Sequence, residues 1–389
     1  MSFPKTLAGW ALIPLSWLYG LAAAGHRFVM HLGARRRRRP DCAVVSVGAL
    51  TVGGAGKTPL AARIAAGLRA RGHRVVLASR GYRGKSREAI TVVSDGVHIH
   101  AYVADAGDES LVLAGHAPGV PVLVGRDRNV VGHHAVSQFG AEILVLDDGF
   151  QHHRLPRDLD IVSLDAHAGL GNGRVLPAGP LREPACALRQ ADWLCVIDAD
   201  PERTVTSDPH AGLASLPGSS PRIAQLARDR FVFRATRRPA GLFSLDGRAR
   251  LAPAELAGRR IGLICGIARP GSFRRSVESL GAEVIAERFL PDHHAYRARD
   301  LADLAAGAET WLTTEKDAIK ILPSWVRGVS MWVLRIELEI EDESAVLDAL
   351  EQSLQDCGRL PGGASDTGGA DEAAATLPAR STPSSISSD

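Results

Sequence analysis

The chain has 389 residues, 45% hydrophobic and 23% charged, enough for two domains with sizeable cores and ordinary for an α/β enzyme. A formal net charge of +3 gives no whole-chain case for nucleic acid as a partner. The five cysteines (Cys42, Cys186, Cys195, Cys265 and Cys357) are odd in number and form no C-x-x-C pair, which excludes the usual zinc and disulfide frameworks and favours reduced thiols in a cytosolic compartment.

Residues 7–24 carry no charge and include Trp10, Leu12, Ile13, Leu15, Trp17, Leu18, Tyr19 and Leu21, and five arginines, Arg35 to Arg39, follow shortly after. Lys5 and the alanines at 22–24 only weakly imitate a signal peptide's basic start and cleavage site. A single membrane span needs about 20 apolar residues. This segment is at the short limit, and Pro14, Ser16 and Gly20 weaken it further. An interfacial helix fits its features: Trp and Tyr at headgroup level, and arginines attracted to anionic lipid. The bland alternative is a first helix packed on the core with its arginines merely solvated. Either membrane reading puts the arginines, and the chain after them, on the cytoplasmic side.

After Pro40 strand-like and helix-like runs alternate, and no internal repeat is visible. Residues 43–47 read as a short strand ending in a glycine-rich loop. Residues 59–71 read as a helix, with Leu60, Ile64 and Leu68 on one face and Gly72 as its stop. Strands are expected at 74–78, 120–124, 142–146, 160–164 and 193–197, as near-continuous apolar runs that suit a parallel sheet buried on both faces. Residues 200–221 are rich in Pro, Ser, Gly and Asp and mark a loop or a domain junction. A second α/β pattern follows, with strands at 260–265, 310–313 and 331–336 and a helix at 271–280. The tail from Gly358 has few large apolar residues and is expected to be disordered. The expected organisation is an N-terminal hydrophobic helix and basic run (1–39), a P-loop-type parallel-sheet domain (40–222), a smaller α/β domain (223–356) and a tail (357–389).

The sharpest motif is Thr51-Val52-Gly53-Gly54-Ala55-Gly56-Lys57-Thr58, placed between a strand and a helix as a phosphate loop requires. The glycines let backbone N–H groups turn inward, and with the helix N-terminus these cradle phosphate oxygens. Lys57 reaches the β- and γ-phosphates of a nucleotide such as ATP, and the Thr58 hydroxyl is a ligand for Mg2+. Thr51 stands where the usual motif begins with glycine. A nucleotide site also argues against export.

The strand at 142–146 runs into Asp147-Asp148-Gly149-Phe150-Gln151-His152-His153. Ligands collect at the C-terminal ends of strands in open α/β sheets, and a carboxylate there is what a second magnesium ligand needs. Adjacent side chains on a strand diverge, so the two aspartates cannot do the same job. Adjacent histidines diverge too, and no Cys/His spacing makes His152 and His153 a zinc site. Ser79-Arg80-Gly81-Tyr82-Arg83-Gly84-Lys85 offers three cations on flexible glycines, for a phosphate or simply for solvent. Gly107-Asp108-Glu109 reads more readily as the first turn of a helix than as a base. In Pro291-Asp292-His293-His294 a histidine beside an aspartate suits proton transfer, although such pairs are also common on surfaces.

Together these stretches resemble the tetraacyldisaccharide 4'-kinase family, the lipid A 4'-kinases of Gram-negative bacteria. The similarity runs in order from about Pro14 to about Glu339. It includes Ser46-Val47-Gly48, the whole of 50–59, Ser79-Arg80-Gly81-Tyr82 and Ala106-Gly107-Asp108-Glu109. It continues through residues 147–152, Leu176-Pro177-Ala178-Gly179-Pro180-Leu181-Arg182-Glu183-Pro184, Pro291-Asp292-His293 and Thr313-Thr314-Glu315-Lys316-Asp317. Thr51 belongs to that family's own loop. Ala49 and Ala55 stand where it often has Asn and Thr or Ser, without removing a proposed chemical group. The resemblance implies transfer of the ATP γ-phosphate to the 4'-hydroxyl of a tetraacylated glucosamine disaccharide 1-phosphate. It implies two α/β domains joined by a two-stranded linker, with the site in the cleft. It assigns Asp108, paired with His293, as the base, and Lys57, Thr58, Asp147, Asp148 and Gln151 to ATP and Mg2+. Arg128 becomes a charge stabiliser and Glu183 a nucleotide contact. The lipid would stay in the bilayer, which the N-terminal segment reaches at the cytoplasmic face of the inner membrane. No protein partner is inferred.

Other readings start from the same loop. A P-loop kinase of a soluble hydroxyl would not need residues 7–24 or the arginines. A GTPase-like switch usually needs an N-K-x-D loop, and the sequence has none. A non-catalytic ATP-binding scaffold would survive loss of Asp108 and His293.

Overall fold

The computed structural model describes residues 12–34, 39–199, 213, 216–219, 225 and 229–361. Residues 7–11 of the apolar segment, Arg35 to Arg38, most of 200–221 and the tail from 362 lie outside the described residues.

Thirteen strands form one sheet. Its centre is β1 (Ala43–Gly48), buried along its whole length. β2 (Val75–Ser79), β3 (Thr91–Ser94), β4 (Val122–Val124), β5 (Ile143–Asp147), β6 (Leu159–Asp165) and β7 (Trp193–Ile197) follow in the chain. They assemble in the order β7-β6-β1-β5-β2-β4-β3, all parallel except β3 at the edge. The near-continuous apolar runs predicted this burial, and helices cover both faces. On one face Leu60, Ile64 and Leu68 of the helix Lys57–Ala70 pack on Val45, Val47, Leu77 and Val145. On the other, Val131 and Ala135 of the helix Arg128–Phe139 pack on Val44, Val76 and Leu144.

A second parallel block is built from β10 (Arg260–Cys265), β11 (Glu283–Phe289), β12 (Thr310–Thr314) and the first half of β13 (Ser330–Ile340). The blocks are joined by β8 (Phe231–Ser244) and β13. Residues 231–235 of β8 extend the first block beside β7, and residues 330–334 of β13 extend the second beside β12. β8 and β13 pair with each other in antiparallel register from Trp332 opposite Ser244 to Ile340 opposite Ala235. A register shift at Arg335/Ile336 coincides with Pro239, which has no N–H to give a regular ladder. The sheet thus narrows to two strands at its waist. β9 (Arg250–Leu251) pairs with β8.

The chain then returns. Leu347, Leu350 and Leu354 of the last helix, Glu343–Asp356, join the core around Leu60, Ile64 and Leu68. Arg63 pairs with Glu343, and Arg71 with Asp348 and Glu351. The second half of the sequence therefore contributes a layer to the first block.

The N-terminal helix, Ile13–Ala34, opens on Pro14, tolerated in a first turn where its missing N–H costs nothing. Among the described residues it docks through Ser16 and Gly20. Buried Ser16 accepts a hydrogen bond from the Ala178 amide at 2.9 Å, and Gly20 lies against Val175. The other side is open: Trp17 is 74% and Leu21 73% exposed, with Leu15 and Leu18 also exposed. Among the described residues no helix is long and apolar enough to cross a membrane.

The chain's 193–197 and 260–265 strands have the expected bounds, and the others lie within a few residues of them. β3, β8, β9 and β11 were not expected. β8 is interrupted by Arg234, Arg237, Arg238 and Pro239, and β11 is an edge strand carrying Glu283, Glu287 and Arg288, so neither offers a continuous apolar run. The five cysteines are unpaired, and burial pushes the Cys42 and Cys265 thiols up to about 12.

Leu350→Ala should destabilise the protein by about 2–5 kcal/mol, because it empties a fully buried site against the phosphate-loop helix. Urea unfolding measures this. A cost near zero would mean that the last helix is not part of that core.

Candidate active site

The C-terminal ends of β1, β5, β6 and β7 open toward one edge of the sheet. The phosphate loop leaves β1 there and closes into the helix Lys57–Ala70. Gly56 precedes this helix at φ 73°, and a Cβ on it would meet Ile197 Cδ1 at 2.5 Å, so the loop requires glycine at that point. Its first residues are held from outside. Val52 donates to Pro180, Arg182 donates to Leu50, and Thr51 bridges to Leu181.

β5 delivers the two aspartates, and they diverge. Asp147 is buried and accepts from the Thr58 hydroxyl at 3.1 and 3.3 Å. Asp148 takes a left-handed φ of 54°, accepts from Arg182 at 2.7 and 2.8 Å, and lies 3.7 Å from Lys57 Nζ. Burial, with Asp148 and Glu109 nearby, raises Asp147 to about 7. Burial pushes Asp148 the same way, but Lys57 and Arg182 outweigh it and hold that carboxyl below its ordinary value. A hydroxyl and two carboxylates are the hard oxygen donors that Mg2+ takes alongside phosphate oxygens, so these residues fit the ion.

Arg128 is 2% exposed and donates to the Gly125 and Asp147 carbonyls at 2.8 and 3.2 Å. Burial lowers it to about 10, so it stays cationic at neutral pH. Gln151 bridges Ala49 and Arg182. Glu183 is buried against His153 at 3.2 Å.

Asp108 begins the helix Asp108–His116, as the helix-start reading of Gly107-Asp108-Glu109 expected. Gly107 has φ 82°, and a Cβ there would strike the Tyr82 carbonyl at 2.3 Å. That close approach puts the Tyr82 loop beside the helix start. Asp108 meets His293 Nδ1 at 2.9 and 3.2 Å, joining residues 185 positions apart. Burial alone would raise Asp108. The His293 hydrogen bond and the Lys316 and Lys320 ammonium groups reverse this, and its carboxyl lies below the ordinary range. The cation-rich loop is not simply solvated: Arg83 donates to the His293 carbonyl at 3.1 Å, and the Tyr82 ring lies 5.3 Å from the imidazole.

Several polar residues at the site were given no role from the sequence. Arg237, on the waist strand β8, donates to the Gly54 carbonyl and pairs with Asp165 and Asp198 at the ends of β6 and β7. Arg269 reaches the same Asp165. Lys316 and Lys320 approach the Asp108–His293 pair. Lys316 lies in the Thr313-Thr314-Glu315-Lys316-Asp317 stretch, which was its one signal, and Lys320 lies outside it. For the arginines there was none: Arg237 is a single residue on a strand not foreseen, and Arg269 a single residue at a helix start, and neither carries a pattern.

A family model described as tetraacyldisaccharide-1-P 4'-kinase matches residues 8–355, nearly all of this architecture. The chain belongs to that family. It is 41% identical over 327 residues to a tetraacyldisaccharide 4'-kinase of Syntrophus aciditrophicus, covering 82% of this chain and 86% of that one. It is 42% identical over 358 residues to one of Anaeromyxobacter dehalogenans, covering 88% and 90%. A crystal structure of LpxK from Aquifex aeolicus in complex with ATP superposes with a TM-score of 0.68 at 28% identity, covering 89% of this chain and 99% of that chain. The tetraacyldisaccharide 4'-kinase family is thus shared in sequence and in fold.

Asp147 is raised from 3.8 to about 7 on folding. Such an acid binds more protons folded than unfolded over that interval, so it costs stability as pH rises and the full cost is present above about 7. Asp147→Asn should therefore raise the melting temperature of the ligand-free protein at pH 8 by a few degrees and have little effect near pH 4, read by thermal unfolding at both pH values. A lower melting temperature at pH 8 would show that the carboxylate is net stabilising.

Proposed function

We propose that this chain carries out its family's reaction with the residues described above: the γ-phosphate of ATP passes to the 4'-hydroxyl of a tetraacylated glucosamine disaccharide 1-phosphate, in lipid A biosynthesis. The observation that carries the assignment of residues is the 2.9 Å Asp108–His293 pair, on a helix start whose next residue, Glu109, is near enough to the Asp147 carboxyl to help raise it. Lys57 and the backbone amides of 51–58 hold the phosphates. Thr58 and Asp147, with Asp148 beside them, would hold Mg2+, which supplies positive charge to the phosphate oxygens when bound. Gln151 and Glu183 belong to the nucleotide side. Arg128 adds a buried charge next to both aspartates.

The sugar oxygen bonds to the γ-phosphorus as the bond to the β–γ bridging oxygen breaks, and the hydroxyl proton passes to Asp108. A carboxylate held below its ordinary pKa is a weak base, but it is fully ionised at neutral pH. Phosphoryl transfer is largely dissociative, so the hydroxyl gives up its proton late and a weak, well-placed base suffices. Positioning and charge do most of the work.

The domain division at 40–222 and 223–356 is part of this reading, with the last helix returning to the first domain. So is placement at the cytoplasmic face of the inner membrane. The exposed Trp17, Leu18, Tyr19 and Leu21 support an interfacial helix, which would bring the cleft to a lipid that does not leave the bilayer.

Detergent-solubilised protein, Mg2+, γ-labelled ATP and tetraacyl disaccharide 1-phosphate test the reaction. Label should appear on the lipid, and Asp108→Ala should lose about 10²-fold or more in kcat while still binding ATP. If ATP binds and the lipid stays unlabelled, the acceptor is a soluble hydroxyl instead. For the membrane contact, Leu18→Glu with Leu21→Glu should weaken co-sedimentation with anionic vesicles by about tenfold or more. Unchanged sedimentation would remove the helix from the membrane surface.

A further inference from the structure

The stretch Thr314-Glu315-Lys316-Asp317 is fixed from several sides. Fully buried Asp317 accepts from the Gly266 amide at 2.9 Å, from the Thr314 hydroxyl at 2.8 Å and from Lys320 Nζ at 2.9 Å. Glu315 meets His116 at 2.9 Å and Arg335 at 3.2 Å. The helix that begins at Asp108 is thereby tied, at its far end, to the second block. Between these anchored neighbours the Lys316 side chain enters the site, and its Nζ lies 3.1 Å from His293 Nε2.

An ammonium has three donors and no acceptor. The contact therefore requires a lone pair on Nε2, which leaves the ring hydrogen on Nδ1, the atom that faces Asp108 at 2.9 Å. Glu109 and Asp292 stand 3.5 Å from the ammonium, and Asp292 also lies 3.9 Å from Nε2, farther than the 3.1 Å of Lys316. Lys320 lies 3.6 Å from Asp108. Arg83 holds the His293 carbonyl in its left-handed φ of 59°, and so the ring's direction is set from the backbone side as well. Donor direction then runs one way, from Lys316 to His293 to Asp108.

We propose that Lys316 is a positioning residue of this site: it locks His293 as the neutral Nδ1–H tautomer, so that His293 presents a hydrogen to Asp108 and Asp108 alone takes the proton of the acceptor hydroxyl. With Nε2 occupied, His293 has no free nitrogen for a substrate proton. Its work is to orient the carboxylate. This rests on the kinase reading above for its consequence, but not for its geometry.

The test uses the full chain in detergent, labelled with 15N-histidine. Long-range proton–nitrogen correlation assigns the His293 ring by its loss in His293→Gln. In the wild type Nδ1 should be protonated and Nε2 bare. In Lys316→Met the hydrogen should redistribute to Nε2, and kcat should fall by about 10²-fold with the KM for ATP unchanged. Lys316→Arg, which keeps a charged donor, should restore most of the rate and the wild-type tautomer. A wild-type ring protonated at Nε2, or a Lys316→Met enzyme with wild-type kcat, would overturn the proposal. Absence of lipid phosphorylation by the wild type would instead defeat the kinase reading, while the tautomer still decides the role of Lys316.

Discussion

One hydrogen bond, between Asp108 and His293, sets the terms for much of this molecule. Its partners come from different blocks of the sheet, and for them to meet, the two-stranded waist must hold the blocks at a fixed spacing. The short helix that starts at Asp108 is anchored at both ends for the same purpose. Gly107 presses against the Tyr82 carbonyl, and at the other end His116 is held by Glu315. Arg237 does the corresponding work on the nucleotide side, tying the waist to the carbonyl of Gly54 and to the ends of β6 and β7.

The two aspartates show how one strand end can supply two electrostatic environments. Asp147 continues β5 inward, its carbonyl held by Arg128 and its carboxylate by the Thr58 hydroxyl, and burial dominates its titration. One residue later the backbone turns left-handed and Asp148 swings out between Lys57 and Arg182. In the proposed kinase a carboxyl that resists ionisation in this way would give up its proton as a cation binds. A carboxylate already paired with two cations is better suited to hold those cations in place.

What was legible in the sequence follows from what leaves a pattern. The phosphate loop was visible because glycines, lysine and threonine must stand at fixed offsets between a strand and a helix. The strands at Trp193–Ile197 and Arg260–Cys265 were visible because both faces are buried. The divergence of Asp147 and Asp148 followed from the pleat alone. The waist was not visible: β8 is half out of the core, so Arg237 and Arg238 interrupt its apolar run, and Pro239 argues against a strand until the register shift explains it. Nor was the place of Lys316, since a single cation has no spacing to read. The pairing of Asp108 with His293 came from resemblance to a family, because contacts 185 residues apart are not written in local periodicity.

The return of the last helix has a consequence in time. A ribosome releases the phosphate-loop helix early, yet the leucines that cover it, Leu347, Leu350 and Leu354, emerge only after the whole second block. At about 5–20 residues per second the uncovered face around Leu60, Ile64 and Leu68 waits on the order of tens of seconds. For that interval the nascent chain offers an apolar surface with no native cover. The segment bearing Trp17, Leu18 and Leu21 leaves the ribosome before any of this, so the helix proposed to lie at the bilayer is made long before the nucleotide site is finished.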